Sequence, residues 1–282
     1  MLFRIFESPF FRHKGGVVAL IVLLVFLIFA IFAPYIAPYP PNEADFYSSL
    51  EPLSRDHPLG TDKQGRDVLS RVIFGTRTTL LGALFVVIIS GGIGIPLGII
   101  AGFFDGFLES AIMRTWDVLL AFPSLLLAFI LIATFGRGFT TAIIAIGIVY
   151  IPMISRLARS VTLKEKNEVY SAAAKSLGCS NFRVMYRHIL PNCVNVFIVQ
   201  STLDLGYAII DLSALSFLGL GVQPPTADWG VMLSRGTNYL MFYPYVALAG
   251  GFAIMITVIS FNVLGDALQT YLDPKQRISK WH

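Results

Sequence analysis

Two carboxylates stand in a part of the sequence that is otherwise uncharged. Asp204 and Asp211 lie seven positions apart in a long apolar run, so a helix would place both on one face. An ionised side chain at the centre of a bilayer costs about 2.5 to 3.5 kcal/mol on insertion scales, so both should face a protein interior or lie near a membrane edge. Two interpretations stay open. The carboxylates bond to neighbouring helices or sit close to the outer surface, or they line a pathway and attract an amino terminus or a metal cation.

No other group of side chains suggests chemistry. The four histidines are scattered, and no Cys and His residues share the spacing of a metal site. Ser, His and Asp do not gather in a nucleophilic arrangement, and the phosphate-binding pattern G-x-x-x-x-G-K-[ST] does not occur. We therefore predict no catalytic residue, no metal site and no cofactor bound by this chain. Cys179 and Cys193 are expected to be reduced thiols.

The elements that position the two carboxylates are predicted to be membrane helices. Hydrophobic residues make up 55% of the 282-residue chain and charged residues 13%, against about 25% charged in a typical soluble domain. A helix needs about 20 apolar residues to cross a bilayer, and six runs qualify. The predicted spans are residues 15–36, 78–104, 118–136, 138–155, 191–219 and a segment within 236–265. We predict an all-α membrane protein with six transmembrane helices.

The distribution of cations predicts how these helices are oriented. Because Arg4, Arg12 and Lys14 precede the first span, this span could also be a cleaved signal peptide, but its length and the lack of an A-x-A site favour a retained helix. Lys and Arg are enriched in loops that stay in the cytoplasm. With the N-terminus inside, 14 of the 21 Lys and Arg residues fall on the inner side. Both termini are therefore predicted to be cytoplasmic. The net charge of +4 follows from this topology, and no nucleic-acid partner is expected.

The outer segment between the first two spans is predicted to contain a helix. Thr61 and Gln64 have the spacing of a capping box, and the apolar residues that follow recur at helical spacing. Arg66, Asp67 and Arg71 fall on the opposite face. This pattern predicts an amphipathic helix on the outer surface that leads into the second span.

Small residues in the second span predict close packing with another helix. Gly94, Gly98 and Gly102 are four residues apart, a spacing that lets two membrane helices approach each other closely. The pattern indicates packing and carries no information about a substrate.

The polar segment between the fourth and fifth spans predicts a compact helix–turn–helix beneath the membrane. Thr162 and Glu165 again have capping-box spacing, so a helix should begin there and run through the alanines at 172–174. Gly178 is expected to end this helix in the left-handed conformation, and Ser180 can cap a second helix.

The second helix of this loop is predicted to have one apolar face. Phe182, Met185, Tyr186 and Ile189 recur at helical spacing, and Pro191 is expected to end the helix before the fifth span. A unit of this kind can bury its surface only against its own bundle or against another protein.

The loop resembles the EAA loop of ABC importer permeases, in which a short coupling helix docks into a groove of a cytoplasmic ATPase subunit. The stretch YSAAAKSLGCSNFRVMYRHILPN, residues 170–192, carries the family spacing of alanines, glycine and a closing I-x-L-P, with Ala172 where the family often has Glu and His188 where it often has Ile. The resemblance implies that six residues couple transport to ATP hydrolysis. They are Ala172, Ala173, Ala174, Leu177, Gly178 and Ser180.

Three further motifs resemble the second permease subunit of dipeptide, oligopeptide and nickel importers. They are HPLGTDKQGRDVLSRVIFGTR (57–77), LSFLGLGVQPPTADWGVML (215–233) and FNVLGDALQTYLDPK (261–275). The resemblance covers almost the whole chain and implies a type I ABC importer permease fold with a cytoplasmic coupling helix. It implies an N-terminal part, residues 1–77, with the first span and the outer segment. A five-helix permease core, residues 78–282, would then contain the coupling loop at 159–191.

The implied function is that of a permease subunit of an ATP-driven importer of di- or oligopeptides. The expected partners are a homologous permease subunit, two cytoplasmic ATPase subunits that bind ATP and Mg, an extracytoplasmic solute-binding protein and the lipid bilayer. The expected location is the bacterial cytoplasmic (inner) membrane. Import of nickel or a metal chelate by the same architecture is the first alternative. A self-sufficient secondary transporter or channel is a distant one, because the coupling loop would then have no role.

Overall fold

The computed structural model describes residues 14–272, and its long elements are all helices. The helices are α1 (Lys14–Ile36), α2 (Val68–Phe103), α3 (Phe107–Leu120), α4 (Ser124–Phe135), α5 (Phe139–Lys166), α6 (Val169–Ser176), α7 (Asn181–Phe217), α8 (Trp229–Gly236) and α9 (Pro244–Leu272). Five of them, α1, α2, α5, α7 and α9, are long and apolar enough to cross a membrane, and the bent pair α3 and α4 makes a sixth if it counts as one span. The prediction of an all-α membrane protein is confirmed. The terminal cations that entered the charge count, Arg4 and Arg12 among them, lie outside the described residues.

The contact between α2 and α5 forms the centre of the bundle. A Cβ atom on Gly98 would lie 2.3 Å from the carbonyl oxygen of Ser155, so a larger residue does not fit at this crossing. Gly94 and Gly102 face the same helix one turn to either side. Lipid provides no hydrophobic drive for helix association, so close backbone approach and dispersion contacts hold such pairs together. The predicted glycine packing is confirmed, and the partner helix belongs to this chain.

The third predicted span is not one straight helix. α3 and α4 are bent by 89° relative to each other at a short break. Pro123 stands at the break and precedes α4. Proline has no N–H to donate and disfavours a helical conformation in the residue before it, here Phe122. The apolar run was continuous in the sequence, but the backbone geometry at Pro123 divides it.

The fourth span extends beyond its predicted end at Ser155. α5 continues to Lys166 and carries several cations in its last turns. Acidic residues of α3 pair with these cations: Arg156 with Asp117, and Arg159 with Glu109. The loss of hydropathy therefore marked the edge of the apolar run rather than the end of the helix. The capping box predicted at Thr162 is wrong, because Thr162 lies buried inside α5.

The amphipathic outer helix predicted from Thr61 is also wrong in its start and in its orientation. Residues 61–67 form a loop, and α2 begins only at Val68. Asp67 caps it by accepting a hydrogen bond from the Ser70 amide at 2.7 Å. Arg66, Asp67 and Arg71, expected on a solvent face, are at most 5% exposed.

These buried charges are held by partners from the outer segment. Asp62 accepts hydrogen bonds from Nε and Nη2 of Arg66 at 2.8 and 2.5 Å. Arg71 donates from Nη1 to the carbonyl oxygen of Pro41 at 2.7 Å, and His57 lies 3.0 Å from Asp67. A buried charge is tolerated only when it is paired and hydrogen-bonded, and this network meets that condition.

The segment that follows α7 packs against the N-terminal end of α2. Asp228 caps α8 by accepting from the Val231 amide at 3.0 Å, and the Thr79 hydroxyl donates to its other oxygen at 3.3 Å. Burial raises the pKa of Asp228 above its ordinary value. Trp229, fully buried, donates from Nε1 to the Val72 carbonyl at 3.0 Å. This end of the bundle is therefore held together by hydrogen bonds within the chain itself.

Candidate functional sites: the predicted coupling loop and an intramembrane cavity

The coupling loop contains the short helix α6, which begins after Glu168 rather than at Thr162. The Tyr170 hydroxyl donates to Glu165 at 2.7 Å and so ties α6 to the end of α5. Burial and this carboxylate raise the pKa of Tyr170 to about 12, so the hydroxyl keeps its proton at neutral pH. The predicted helix through the alanines is present in a shorter form.

The turn after α6 has the predicted geometry. Gly178 has a φ of +80°, the left-handed conformation that favours glycine. Its amide donates to the Lys175 carbonyl at 2.9 Å, and the Cys179 amide donates to the Ala174 carbonyl at 3.1 Å. These bonds satisfy the last carbonyls of the helix. The side chain of Ser180 then caps α7 by accepting from the Arg183 amide, as predicted.

The predicted ending of the second helix at Pro191 is wrong. α7 runs without a break from Asn181 to Phe217, and Pro191 lies inside it beside a π-helical turn at Met185–Ile189. Proline has no N–H to donate, and the preceding π-helical turn, in which the Leu190 amide donates to the Met185 carbonyl, changes the hydrogen-bond register at this point of the helix. The coupling loop therefore continues directly into the membrane helix that carries both carboxylates.

The predicted apolar face of this segment is divided between two directions. Phe182 and Tyr186 are 68% and 65% exposed and stack with ring centroids 5.6 Å apart. Ile189 and Val184 are fully buried instead. A π-helical turn accommodates one residue more than an α-helical turn and rotates the side chains that follow. The predicted face assumed a regular α-helix and so grouped Phe182 and Tyr186 with Ile189. The structure exposes the first two side chains and buries the third.

The buried side of the loop packs against the C-terminal parts of α2 and α5. The buried residues of this cluster are Ile99, Phe103, Ala158, Ala174, Val184, Ile189, Cys193 and Phe197. Of the six predicted coupling residues, only Ala174 belongs to it. Ala172, Ala173, Leu177, Gly178 and Ser180 are exposed. The loop thus has an anchored side and a free side.

The free side of the loop carries four large exposed apolar side chains. Leu177 and Val169 are 85% and 83% exposed, close to the exposed rings of Phe182 and Tyr186 in the chain. We call these four side chains the coupling surface. Large apolar groups exposed together mark a site of interaction. Sequence reasoning did not single out Val169, although its place just before the alanine helix was a usable signal.

The two intramembrane carboxylates line one cavity of about 420 Å³ between α3, α4, α5 and α7. The cavity is also lined by four other side chains that can form hydrogen bonds, those of Ser124, Tyr150, Gln200 and Tyr207. The remaining wall is apolar. The volume lies within the usual range of ligand pockets. The prediction that Asp204 and Asp211 share a face is confirmed. Whether they have a functional role stays a prediction.

The two carboxylates differ in their hydrogen bonds. The Tyr150 hydroxyl donates to Oδ2 of Asp211 at 2.8 Å across the α5–α7 contact. Oδ1 of Asp204 accepts from Gln200 of the same helix at 2.9 Å. Oδ2 of Asp204 is buried and accepts no hydrogen bond from any residue in the described range. Sequence reasoning missed Tyr150 and Gln200, although Gln200 stands four residues before Asp204, which is the spacing of a helical side-chain pair.

Comparison with known proteins covers both sites. Residues 94–278 match the family described as "Binding-protein-dependent transport system inner membrane component". The chain belongs to this family. Residues 2–52 match the "N-terminal TM domain of oligopeptide transport permease C". The first of these matches contains the coupling loop and the carboxylate cavity, so the permease family shares the part of the chain that carries both.

Named relatives match this permease over nearly its full length. A glutathione transport system permease protein of Pectobacterium atrosepticum is 39% identical over 96% of this chain and 91% of its own length. A di/tripeptide transport system permease protein of Pseudomonas aeruginosa is 43% identical over 96% and 91%. A dipeptide transport system permease protein of Haemophilus influenzae is 38% identical over 94% and 92%. The resemblance to ABC importer permeases of the peptide type is confirmed, and the chain is a multi-pass membrane permease.

Proposed function

We propose that this chain is one of two homologous permease subunits of an ATP-driven peptide importer. The relatives described above are named for dipeptide, di/tripeptide and glutathione transport, which favours peptides over nickel or a metal chelate as the substrate. A solute-binding protein delivers the peptide at the outer face. Two ATPase subunits bind ATP and Mg in the cytoplasm and drive the transport cycle.

The coupling surface is the observation that carries this proposal. Val169, Leu177, Phe182 and Tyr186 are exposed on a loop whose other side is anchored in the bundle. Exposed apolar side chains on short helices fit a groove on a partner protein, as in helix-in-groove recognition. Because α7 is continuous from the coupling surface to Asp204 and Asp211, a displacement of the loop is transmitted along one helix to the cavity.

The proposed orientation places the coupling surface in the cytoplasm and the outer segment on the opposite side. The distribution of Lys and Arg supports this arrangement. Single cysteines at Asn42 and Thr226, in a background without Cys179 and Cys193, should react with impermeant reagents from outside. A cysteine at Asn167 should not. Outside labelling at Asn167 would reverse the proposed topology.

Reconstitution tests the function directly. The chain is purified with its partner permease, ATPase and binding-protein subunits, placed in proteoliposomes, and supplied with radiolabelled dipeptide or with radiolabelled nickel. We expect uptake of dipeptide that requires ATP and the binding protein, and no uptake of nickel. Nickel uptake in place of dipeptide uptake would refute the peptide assignment. ATP-independent uptake by this chain alone would establish the secondary-transporter alternative.

A further inference from the structure

The carboxylate cavity is electrostatically incomplete. Asp204 and Asp211 both line it, and none of its lining residues in the described part of the chain is Lys, Arg or His. Charges interact more strongly in a low-dielectric interior than in water, and a buried carboxylate without a partner is correspondingly costly. The cavity therefore favours a positively charged group.

The hydrogen bonds assign different tasks to the two carboxylates. Asp211 is engaged by the Tyr150 hydroxyl at 2.8 Å, and this bond joins α5 to α7. Asp204 is only 6% exposed and has one oxygen held by Gln200 and one oxygen without a donor. Because Asp204 lines the cavity, its second oxygen is the acceptor left for a ligand there while Gln200 holds the first.

We infer that Asp204 is the binding group for the protonated amino terminus of a peptide in transit, and that Asp211 with Tyr150 holds the cavity in shape. The inference rests on the proposed function and specifies which end of the substrate this permease binds. An ammonium group is a compact cation with three N–H donors, and one oxygen of the Asp204 carboxylate has no donor. Phe122 and Tyr207 line the same cavity, and aromatic faces attract ammonium groups.

A single charged contact also suits transport. A hydrogen bond to a charged group contributes a moderate net free energy, enough to favour entry and small enough to permit release. The remaining wall is apolar and makes no directional bonds, so it places little restriction on the side chains of the peptide. Such a site selects peptides by their amino terminus and tolerates variation in their sequence.

The test compares two substrates in reconstituted complexes that differ only in this chain. One dipeptide has a free amino terminus and the other is the same dipeptide N-acetylated. Asp204→Asn should lower uptake of the free-amino dipeptide at least about tenfold and leave uptake of the acetylated dipeptide nearly unchanged. Asp204→Glu should restore most of the difference. Asp211→Asn, the matched control, should affect both dipeptides by the same factor. Because the binding protein is identical throughout, its own preference cancels from these ratios.

A second measurement does not depend on delivery by the binding protein. The purified wild-type complex is treated with a hydrophobic carbodiimide, and modification of Asp204 is followed by mass spectrometry. We expect the free-amino dipeptide to protect Asp204 and the acetylated dipeptide not to protect it. Equal protection by both peptides, or an equal loss of uptake for both in Asp204→Asn, would assign Asp204 a structural role and overturn the inference. Failure of wild-type complexes to transport dipeptide at all would instead refute the proposed function.

Discussion

The two ends of this bundle, which are outer and cytoplasmic in the proposed orientation, use charge in opposite ways. At the outer end, Asp62, Arg66 and Asp67 are buried and bonded to each other or to nearby loops. At the cytoplasmic end, the Arg156–Asp117 pair leaves 49% and 60% of its side chains exposed. The ring of Trp229 is fully buried near the first end, whereas the side chain of Leu177 is 85% exposed at the second. The buried charges of the outer end are paired within this chain, whereas the cytoplasmic end presents a surface that another protein can cover.

Removal of a buried charge at the outer end should have the largest effect on stability. Asp62→Ala leaves the Arg66 guanidinium, whose side chain is 6% exposed, without its carboxylate. Breaking a buried pair in this way costs about 3 to 5 kcal/mol. We expect a clear fall in the thermal unfolding temperature of the detergent-purified protein. An unfolding temperature equal to that of the wild type would show that the outer network is not needed to close this end.

The turn at Gly178 should affect coupling rather than stability. A Cβ atom there meets no other atom within 4 Å, so the cost of Gly178→Val comes only from the left-handed backbone and is about 1 to 2 kcal/mol. We expect the membrane domain to stay folded while peptide-stimulated ATPase activity falls at least about tenfold. Gly178→Asn is the matched control, because Asn tolerates this conformation, and it should keep most of the activity. Wild-type coupling in a Gly178→Val complex would contradict the role of the turn.

Removal of the exposed Asp117 carboxylate at the cytoplasmic end should have the smallest effect on stability. Asp117→Ala removes an ion pair that water already screens, and exposed pairs contribute about 1 kcal/mol or less. We expect an unfolding temperature close to that of the wild type. A fall as large as that of Asp62→Ala would remove the distinction between the two ends.

The sequence predicted the fold better than it predicted the loops. Long apolar runs indicate membrane helices because hydropathy is a property of composition, and the first span was predicted within one residue of its start. Composition does not distinguish a solvated arginine from a buried and paired one, so Arg66 and Arg71 were assigned to a solvent face. Similarly, Thr61 and Thr162 had the spacing of capping residues, but packing placed one in a loop and the other inside α5.

The candidate sites were predictable to the extent that local geometry defines them. Gly178 and Ser180 were predicted correctly because a left-handed turn and a helix cap depend on neighbouring residues. The shared face of Asp204 and Asp211 follows from helical periodicity alone. The Tyr150–Asp211 bond joins residues 61 positions apart, and no local pattern contains it. The split of the apolar face at Phe182 depends on a π-helical turn that hydropathy does not reveal.

Protection of Leu177 tests the central claim, that the coupling surface is covered by an ATPase subunit. In a background without other cysteines, Leu177→Cys is placed on the coupling surface and Leu53→Cys on the outer segment, where Leu53 is 59% exposed. Maleimide modification is timed in the permease pair with and without its ATPase subunits. The account predicts that the ATPase subunits slow modification at Leu177→Cys at least about tenfold and leave Leu53→Cys unchanged. Equal rates at Leu177→Cys in an assembled complex that hydrolyses ATP would contradict it.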